Sequence, residues 1–155
     1  MQVLIVADVH GNDGALFTAL ADCPQARVVF CLGDGLREYE AAQMNERGRD
    51  FCIVRGNCDF ATGDIPATAM REIEGHRVLC MHGHLHGVKQ SLLRAEYTAR
   101  EQGADILLFG HTHVPYGKVH DGLYLCNPGS LGYDGWYAVA EITRDSVRFE
   151  KRRVR

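Results

Sequence analysis

The chain has no apolar run approaching the roughly 20 residues that a membrane-spanning helix requires, so no transmembrane segment is expected. Its opening, Met1-Gln2-Val3-Leu4-Ile5-Val6, lacks the basic region and small-residue cleavage site of a signal peptide. A cytoplasmic protein with no membrane partner is the expectation. Paired cysteine motifs are missing too: the six cysteines, Cys23, Cys31, Cys52, Cys58, Cys80 and Cys126, contain no C-x-x-C spacing, which argues against a zinc finger. Cys31, Cys52, Cys80 and Cys126 fall inside apolar strand-like runs and read as small core hydrophobes in a reducing compartment. There is no excess of positive charge. With 17 Lys and Arg against 20 Asp and Glu the formal net charge is −3, which provides no general field for duplex nucleic acid. The basic ending, Lys151, Arg152, Arg153 and Arg155, is expected to be a solvated terminus. No internal repeat, linker or low-complexity segment interrupts the 155 residues, and at 46% hydrophobic they suit one domain over residues 1–155.

What is present is a repeated design. Five apolar runs that read as strands are each followed at once by a metal-binding residue type: QVLIVAD ends at Asp8, VVFCLGD at Asp34, FCIVRGN at Asn57, RVLCMHG holds His82, and ILLFGH ends at His111. His10 and His113 each follow two positions later. Open α/β sheets bind ligands just beyond the carboxyl ends of their strands, so Asp, His and Asn placed there repeatedly describe one site.

The elements between these runs fit an α/β core followed by antiparallel strands. After the first strand, Asn12 or Asp13 caps a helix whose apolar positions Leu16, Phe17 and Leu20 recur with a period near 3.6. Further helices are expected over about Leu36–Arg47 and Val88–Gln102. Strands alternating with such helices imply crossovers and parallel pairing. Hairpins are expected at Glu74-Gly75, between Thr68–Ile73 and His76–Met81, and at Asp121-Gly122, between Gly117–His120 and Leu123–Cys126. A last pair, Tyr137–Ile142 and Ser146–Lys151, is joined by Thr143-Arg144-Asp145. Two mixed sheets packed face to face with helices outside follow from this order.

Asp8 and His10 are two positions apart, so a chain leaving its strand in extended form would present both on one side, and His111 with His113 repeat that spacing. Seven oxygen and nitrogen ligands exceed one tetrahedral zinc site but suit two metals sharing a carboxylate, with Asp34 as the bridge. Two divalent cations against Asp8 and Asp34 leave two positive charges, which a phosphodiester anion and a metal-bound hydroxide would neutralise. Mixed imidazole, carboxylate and amide ligands disfavour magnesium and calcium and leave manganese, iron or zinc.

D-V-H at Asp8 to His10, G-D at Gly33-Asp34, G-N at Gly56-Asn57, H-G at His82-Gly83 and G-H-T-H at Gly110 to His113 resemble the calcineurin-like metallophosphoesterase superfamily in order and spacing. The small size and N-P-G-S at Asn127 to Ser130 are similar to its compact YfcE-type phosphodiesterase subgroup of bacteria and archaea. The resemblance implies a four-layer αββα sandwich and hydrolysis of phosphodiesters by in-line attack of a hydroxide bridging two metals. It implies that Asp8, His10 and His113 hold the first metal and Asn57, His82 and His111 the second, with Asp34 between them. The expected cofactors are two divalent ions, manganese first, with iron, zinc or nickel as alternatives. The expected partner is a small phosphodiester or nucleotide-like substrate, and homo-oligomerisation is left open. The alternatives are a metal-binding scaffold on the same fold, like the retromer subunit, and a nucleotide phosphatase or nuclease.

The departures fall on the substrate side. Many relatives carry a histidine after G-N, where this chain has Cys58 followed by Asp59, and a thiol is a poorer proton donor. His84, two positions beyond His82, is either a substitute donor or phosphate contact, or a rim histidine. Asp59 either orients a ligand or neighbouring backbone, or stabilises its own turn. Asn12 either caps its helix or helps backbone amides there meet a phosphate oxygen. His76, His86 and His120 are expected at the surface. The turn at Asn127 to Ser130 either closes the site or is structural, and no basic residue follows it in Leu131-Gly132-Tyr133-Asp134.

Overall fold

A computed structural model of the chain describes residues 1–155. The first half alternates strand and helix: β1 (Gln2–Val6), α1 (Asp13–Asp22), β2 (Val28–Cys31), α2 (Leu36–Asn45) and β3 (Asp50–Ile53). The second half contains β4 (Thr68–Ile73), β5 (His76–Met81), a 3-10 turn at His84–His86, α3 (Leu93–Glu101), β6 (Ile106–Leu108), β7 (Tyr116–His120), β8 (Leu123–Asn127), α4 (Leu131–Asp134), β9 (Trp136–Thr143) and β10 (Ser146–Arg153). They form two five-stranded mixed sheets, ordered β10-β9-β1-β2-β3 and β4-β5-β6-β8-β7. Within them β1, β2 and β3 are parallel, as are β5, β6 and β8.

The period-two alternation of the strands decides the layering. In β1, Val3 and Ile5 join Phe30, Val78, Cys80 and Leu108 in the seam between the sheets, whereas Leu4 and Val6 face Leu16, Leu20 and Tyr39 of α1 and α2. On the opposite side, Ala95 and Ala99 of α3 cover Leu79 and Leu107. The result is the expected αββα sandwich. Each fully buried Leu, Ile or Phe in these layers contributes roughly 1.5–3 kcal/mol relative to exposure. Five of the six cysteines are buried, and all six are free thiols. Both expected hairpin turns have positive φ at their two central residues, Glu74 (51°) with Gly75 (85°) and Asp121 (45°) with Gly122 (79°), which matches the twist of the flanking strands.

Apart from element ends displaced by one or two residues, three features differ from expectation. Helix α3 begins at Leu93 rather than Val88, because Gly87 turns left-handed and its carbonyl accepts from Gln90 and Ser91 in a separate turn. The basic ending is not a free terminus. Lys151, Arg152 and Arg153 extend β10 against Ala138, Tyr137 and Trp136, where Arg152 pairs with Glu150 and the Arg153 guanidinium lies 5.5 Å from the Trp136 ring centroid. Helix α4 has no periodic signal in sequence because it is a single turn, capped by Ser130. No helix is long and apolar enough to cross a membrane.

Candidate metal centre

The carboxyl ends of β1, β2, β3, β5 and β6 converge on one edge of the sandwich, where Asp8, Asp34, Asn57, His82 and His111 follow within four residues of each strand end. The chain does not leave the strands extended, as the two-residue spacing suggested. Asp8 (φ 54°), His10 (46°), Asp34 (55°), His111 (68°) and His113 (62°) all adopt left-handed backbone, which Asp and His tolerate better than most residues. The resulting turns interlock the loops: the Asp8 amide donates to the Gly33 carbonyl at 3.1 Å, the His10 amide to the Asp34 carbonyl at 2.9 Å, and the Gly110 amide to the His82 carbonyl at 3.0 Å. Residues with side chains at this many left-handed positions carry strain of order 1–3 kcal/mol each, a pattern concentrated at functional sites.

Two groups of ligating atoms result, each with its atoms within 4.8 Å of one another: Asp8, His10 and His113, and Asp34, His82 and His111. His113 Nε2 lies 3.1 Å from Asp8 Oδ1, and His10 Nε2 lies 3.4 Å from His113 Nε2. In the second group His82 Nε2 is 3.0 Å from Asn57 Oδ1, 3.1 Å from His111 Nδ1 and 3.3 Å from Asp34 Oδ2. Asp34 Oδ2 also lies 3.9 Å from His10 Nε2, so one carboxylate stands between the two groups. His82 is wholly buried with Nδ1 2.7 Å from the Leu32 carbonyl, which fixes Nδ1 as the donor and turns the Nε2 lone pair toward the centre.

The charges are arranged for cations. Burial pushes the Asp8 carboxyl up, against the attraction of His82 and His113. Burial acts the same way on Asp34, but its hydrogen bond and charge attraction with His82, together with the Cys58 amide, outweigh it and hold Asp34 well below the usual carboxylate range. The His82 imidazole is raised because the Asp34 and Asp8 carboxylates overcome its burial. His111 is lowered to about 4 by burial and then by His82. Asp8 Oδ1 is buried and has no hydrogen-bond partner, while Oδ2 accepts from the His111 amide at 3.1 Å. An unpartnered buried carboxylate oxygen among imidazole nitrogens fits a coordinated divalent cation, which supplies the missing counter-charge.

Residues 1–145 match the family model of the calcineurin-like phosphoesterase superfamily domain. The chain belongs to this superfamily. As a calcineurin-like protein it is a metal-dependent phosphoesterase. It is 39% identical over 131 residues to the Bacillus subtilis (strain 168) protein named "Probable metallophosphoesterase YsnB", a match covering 84% of this chain and 75% of that one. It is 29% identical over 153 residues to "Phosphodiesterase YfcE" of Escherichia coli (strain K12), covering 84% of this chain and 79% of that protein. Among solved structures, wild-type Vps29 of Entamoeba histolytica complexed with zinc superposes with a TM-score of 0.76 over 100% of both chains at 23% identity, a likeness of fold alone.

Around the candidate ligand groups, the remaining candidates divide. Asp59 accepts four backbone hydrogen bonds, from Asp34 (2.9 Å), Gly35 (3.0 Å), Leu36 (3.0 Å) and Gly56 (2.7 Å), and so ties the loop after β3 to the start of α2. It orients backbone beyond its own turn. Asn12 is committed to the fold: its Oδ1 caps α1 by accepting from Ala15, and its Nδ2 donates to the Gly132 carbonyl. His84 is in the 3-10 turn rather than extended, with its ring centroid 5.3 Å from that of His82 and a buried Nδ1 that has no partner. Cys58 is the one exposed cysteine, and its Sγ joins His10 and Asp34 in a third cluster of possible ligands. Asn127, fully buried, donates to the Gly110 carbonyl and to Thr112 Oγ1, while Ser130 Oγ donates to the Asp8 carbonyl; the N-P-G-S turn therefore braces both histidine loops. His76 and His86 are half-buried, and His120 is exposed.

Two residues near the centre carry little or no signal in the sequence. Tyr39, an ordinary apolar position of α2, sends its hydroxyl to the Gly33 carbonyl at 2.9 Å. Tyr133 stacks on His10 with ring centroids 4.8 Å apart and planes 27° apart, yet remains 68% exposed. The only hint was its place just after the Ser130 turn.

Proposed function

We propose that this chain is a phosphodiesterase that works at two divalent cations sharing Asp34, with manganese the first candidate. The observation that carries the reading is the pair of ligand groups on either side of one carboxylate, Asp34 Oδ2 lying 3.3 Å from His82 Nε2 and 3.9 Å from His10 Nε2. Asp8, His10 and His113 would hold one cation, and Asn57, His82 and His111 the other. When bound, two such cations activate water for in-line displacement at phosphorus and offset charge on the phosphoryl oxygens. The protein's own contribution is orientation. Leu32 fixes the His82 ring, the His111 amide ties one Asp8 oxygen and leaves the other free, and Asp59 fixes the Asp34 backbone. Burial and then the His82 charge lower His84, so near neutral pH it offers an N–H hydrogen bond to a phosphoryl oxygen rather than a proton to the leaving group.

A small diester rather than a nucleic-acid duplex suits the net charge of −3. The name of YfcE supports diester over monoester chemistry. The scaffold reading draws on Vps29, which shares the fold at 23% identity. The test is hydrolysis of bis(p-nitrophenyl) phosphate and p-nitrophenyl phosphate by the purified chain, with elemental analysis of bound metal. Manganese-dependent turnover of the diester, two metals per chain, and loss of at least about 100-fold in Asp34→Asn are expected. Full activity in a chelated, metal-free sample would sink the reading.

A further inference from the structure

A cavity of about 630 Å³ opens directly against His10 and Asp34, outside the ligand set itself. That volume falls within the range of small-molecule sites. Two exposed aromatic rings line it, Phe60 at 84% exposure and Tyr133 at 68%. A single exposed ring needs no explanation, but two on the lining of one cavity beside a metal centre do. Both adjoin anchored residues. Phe60 follows Asp59, whose carboxylate is gripped by four amides. Tyr133 is held from the other side: its amide donates to Ser130 Oγ, and the preceding Gly132 donates to the Asp8 carbonyl, approaching Val9 so closely that a Cβ there would lie 2.1 Å from the Val9 carbonyl oxygen. One face of the Tyr133 ring lies on His10, so the ring reaches the ligand set itself.

The charges on the lining narrow the occupant. Arg37 stands against four carboxylates on the lining, Asp34, Glu38, Glu40 and Asp59, so the cavity has no positive excess for a polyphosphate or for a strand of nucleic acid, both of which are held by clustered cations. Exposed aromatic rings on a lining without positive excess suit an uncharged flat π-system, and every nucleobase presents such a face.

We infer that this cavity binds the aromatic ring of one ester group of the substrate, a nucleobase being the fitting class, while the phosphate sits at the adjoining Asp34 and His10. The substrate is then a mononucleotide-type phosphodiester, with Phe60 and Tyr133 as its specificity-determining residues. The inference rests on the phosphodiesterase reading of the metal centre, and its test is a binding measurement so that the two fail separately. Titration calorimetry on the full chain loaded with manganese compares adenosine 5′-monophosphate with ribose 5-phosphate, which differ only in the base. Adenosine 5′-monophosphate is expected to bind about tenfold more tightly, the worth of one stacking contact. The Phe60→Ala/Tyr133→Ala double variant is expected to bind both ligands equally, and Tyr133→Phe in an otherwise unaltered chain to keep the preference. Equal affinities in the wild type, no binding of either ligand, or a preference that survives the double substitution would each overturn the inference. Failure to hydrolyse bis(p-nitrophenyl) phosphate would instead count against the phosphodiesterase reading and leave this measurement legible.

Discussion

Asp34 and Asp59 hold each other's loops reciprocally: the Asp34 amide donates to Asp59 Oδ2 at 2.9 Å, while the Cys58 amide beside Asp59 donates to Asp34 Oδ1 at 2.8 Å. The carboxylate between the two ligand groups is thus anchored through both its backbone and its side chain. Asp59→Ala removes the acceptor of four amides and is expected to cost about 2–3 kcal/mol, allowing for partial solvent access. Asp59→Asn keeps one acceptor oxygen and should lose less, in stability and in metal affinity alike. Urea unfolding and manganese titration of both variants check this, and a wild-type urea midpoint for Asp59→Ala would show that the four bonds carry no weight.

Gly56 packs directly against the Asp34 carboxylate. A Cβ there would lie 2.1 Å from Asp34 Oδ1 and 2.5 Å from the Asp34 amide nitrogen, so one of them must move. Gly56→Ala is expected to lower turnover by about 100-fold, the effect of displacing a positioned group by roughly an ångström. Circular dichroism should meanwhile report an intact fold. Near-normal turnover in this variant would mean that Asp34 tolerates displacement.

The neighbouring imidazoles of His82 and His111, 3.1 Å apart, are expected to titrate on opposite sides of the ordinary imidazole range in metal-free protein. Burial and the His82 charge keep His111 neutral down to about pH 4, whereas the Asp34 and Asp8 carboxylates, overcoming burial, keep His82 protonated above its ordinary range. At pH 5.5 His82 should therefore be charged and His111 neutral. Because a cation must displace the His82 proton, metal affinity should fall as pH is lowered. Imidazole NMR shifts across a pH series measure both values, and parallel titration of the two rings would contradict the arrangement.

Thiol chemistry reads the burial pattern directly. Only Cys58 of the six cysteines is exposed, so a colorimetric thiol reagent should modify one cysteine in native protein and six in denaturant without prior reduction. Mass spectrometry of the labelled peptide should locate the native adduct at Cys58. More than one fast-reacting thiol in the native state would contradict the packing of the seam between the sheets.

Much of this arrangement was legible because it is local. Each strand of the parallel sets is a short apolar run, both hairpin turns carry a glycine suited to positive φ, and the seven candidate ligands follow the ends of five strands. The start of α3 was misjudged because apolar residues at Val88 and Leu92 continue a helical pattern that the left-handed Gly87 interrupts. Lys151, Arg153 and Arg155 are exposed, as a row of Lys and Arg predicts, whereas the pairing of this segment with β9 and the seat of Arg153 over Trp136 depend on the sheet.

The seven candidate ligands, their order and the superfamily their motifs mark were legible in the sequence alone, because strand-end placement is set by each run's own hydrophobicity. Which oxygen meets which nitrogen was decided only in three dimensions. Asp8 and His111 are 103 positions apart, yet the His111 amide binds Asp8 Oδ2 and leaves Oδ1 unpartnered. Left-handed turns at Asp8, His10, Asp34, His111 and His113, accompanied by hydrogen bonds between neighbouring loops, aim those side chains where extended chain would not. The same long-range packing brings Tyr133 onto His10 and Phe60 to the adjoining cavity. Neither belongs to a periodic or motif-forming stretch, so only the closed sandwich could bring them to the metal centre.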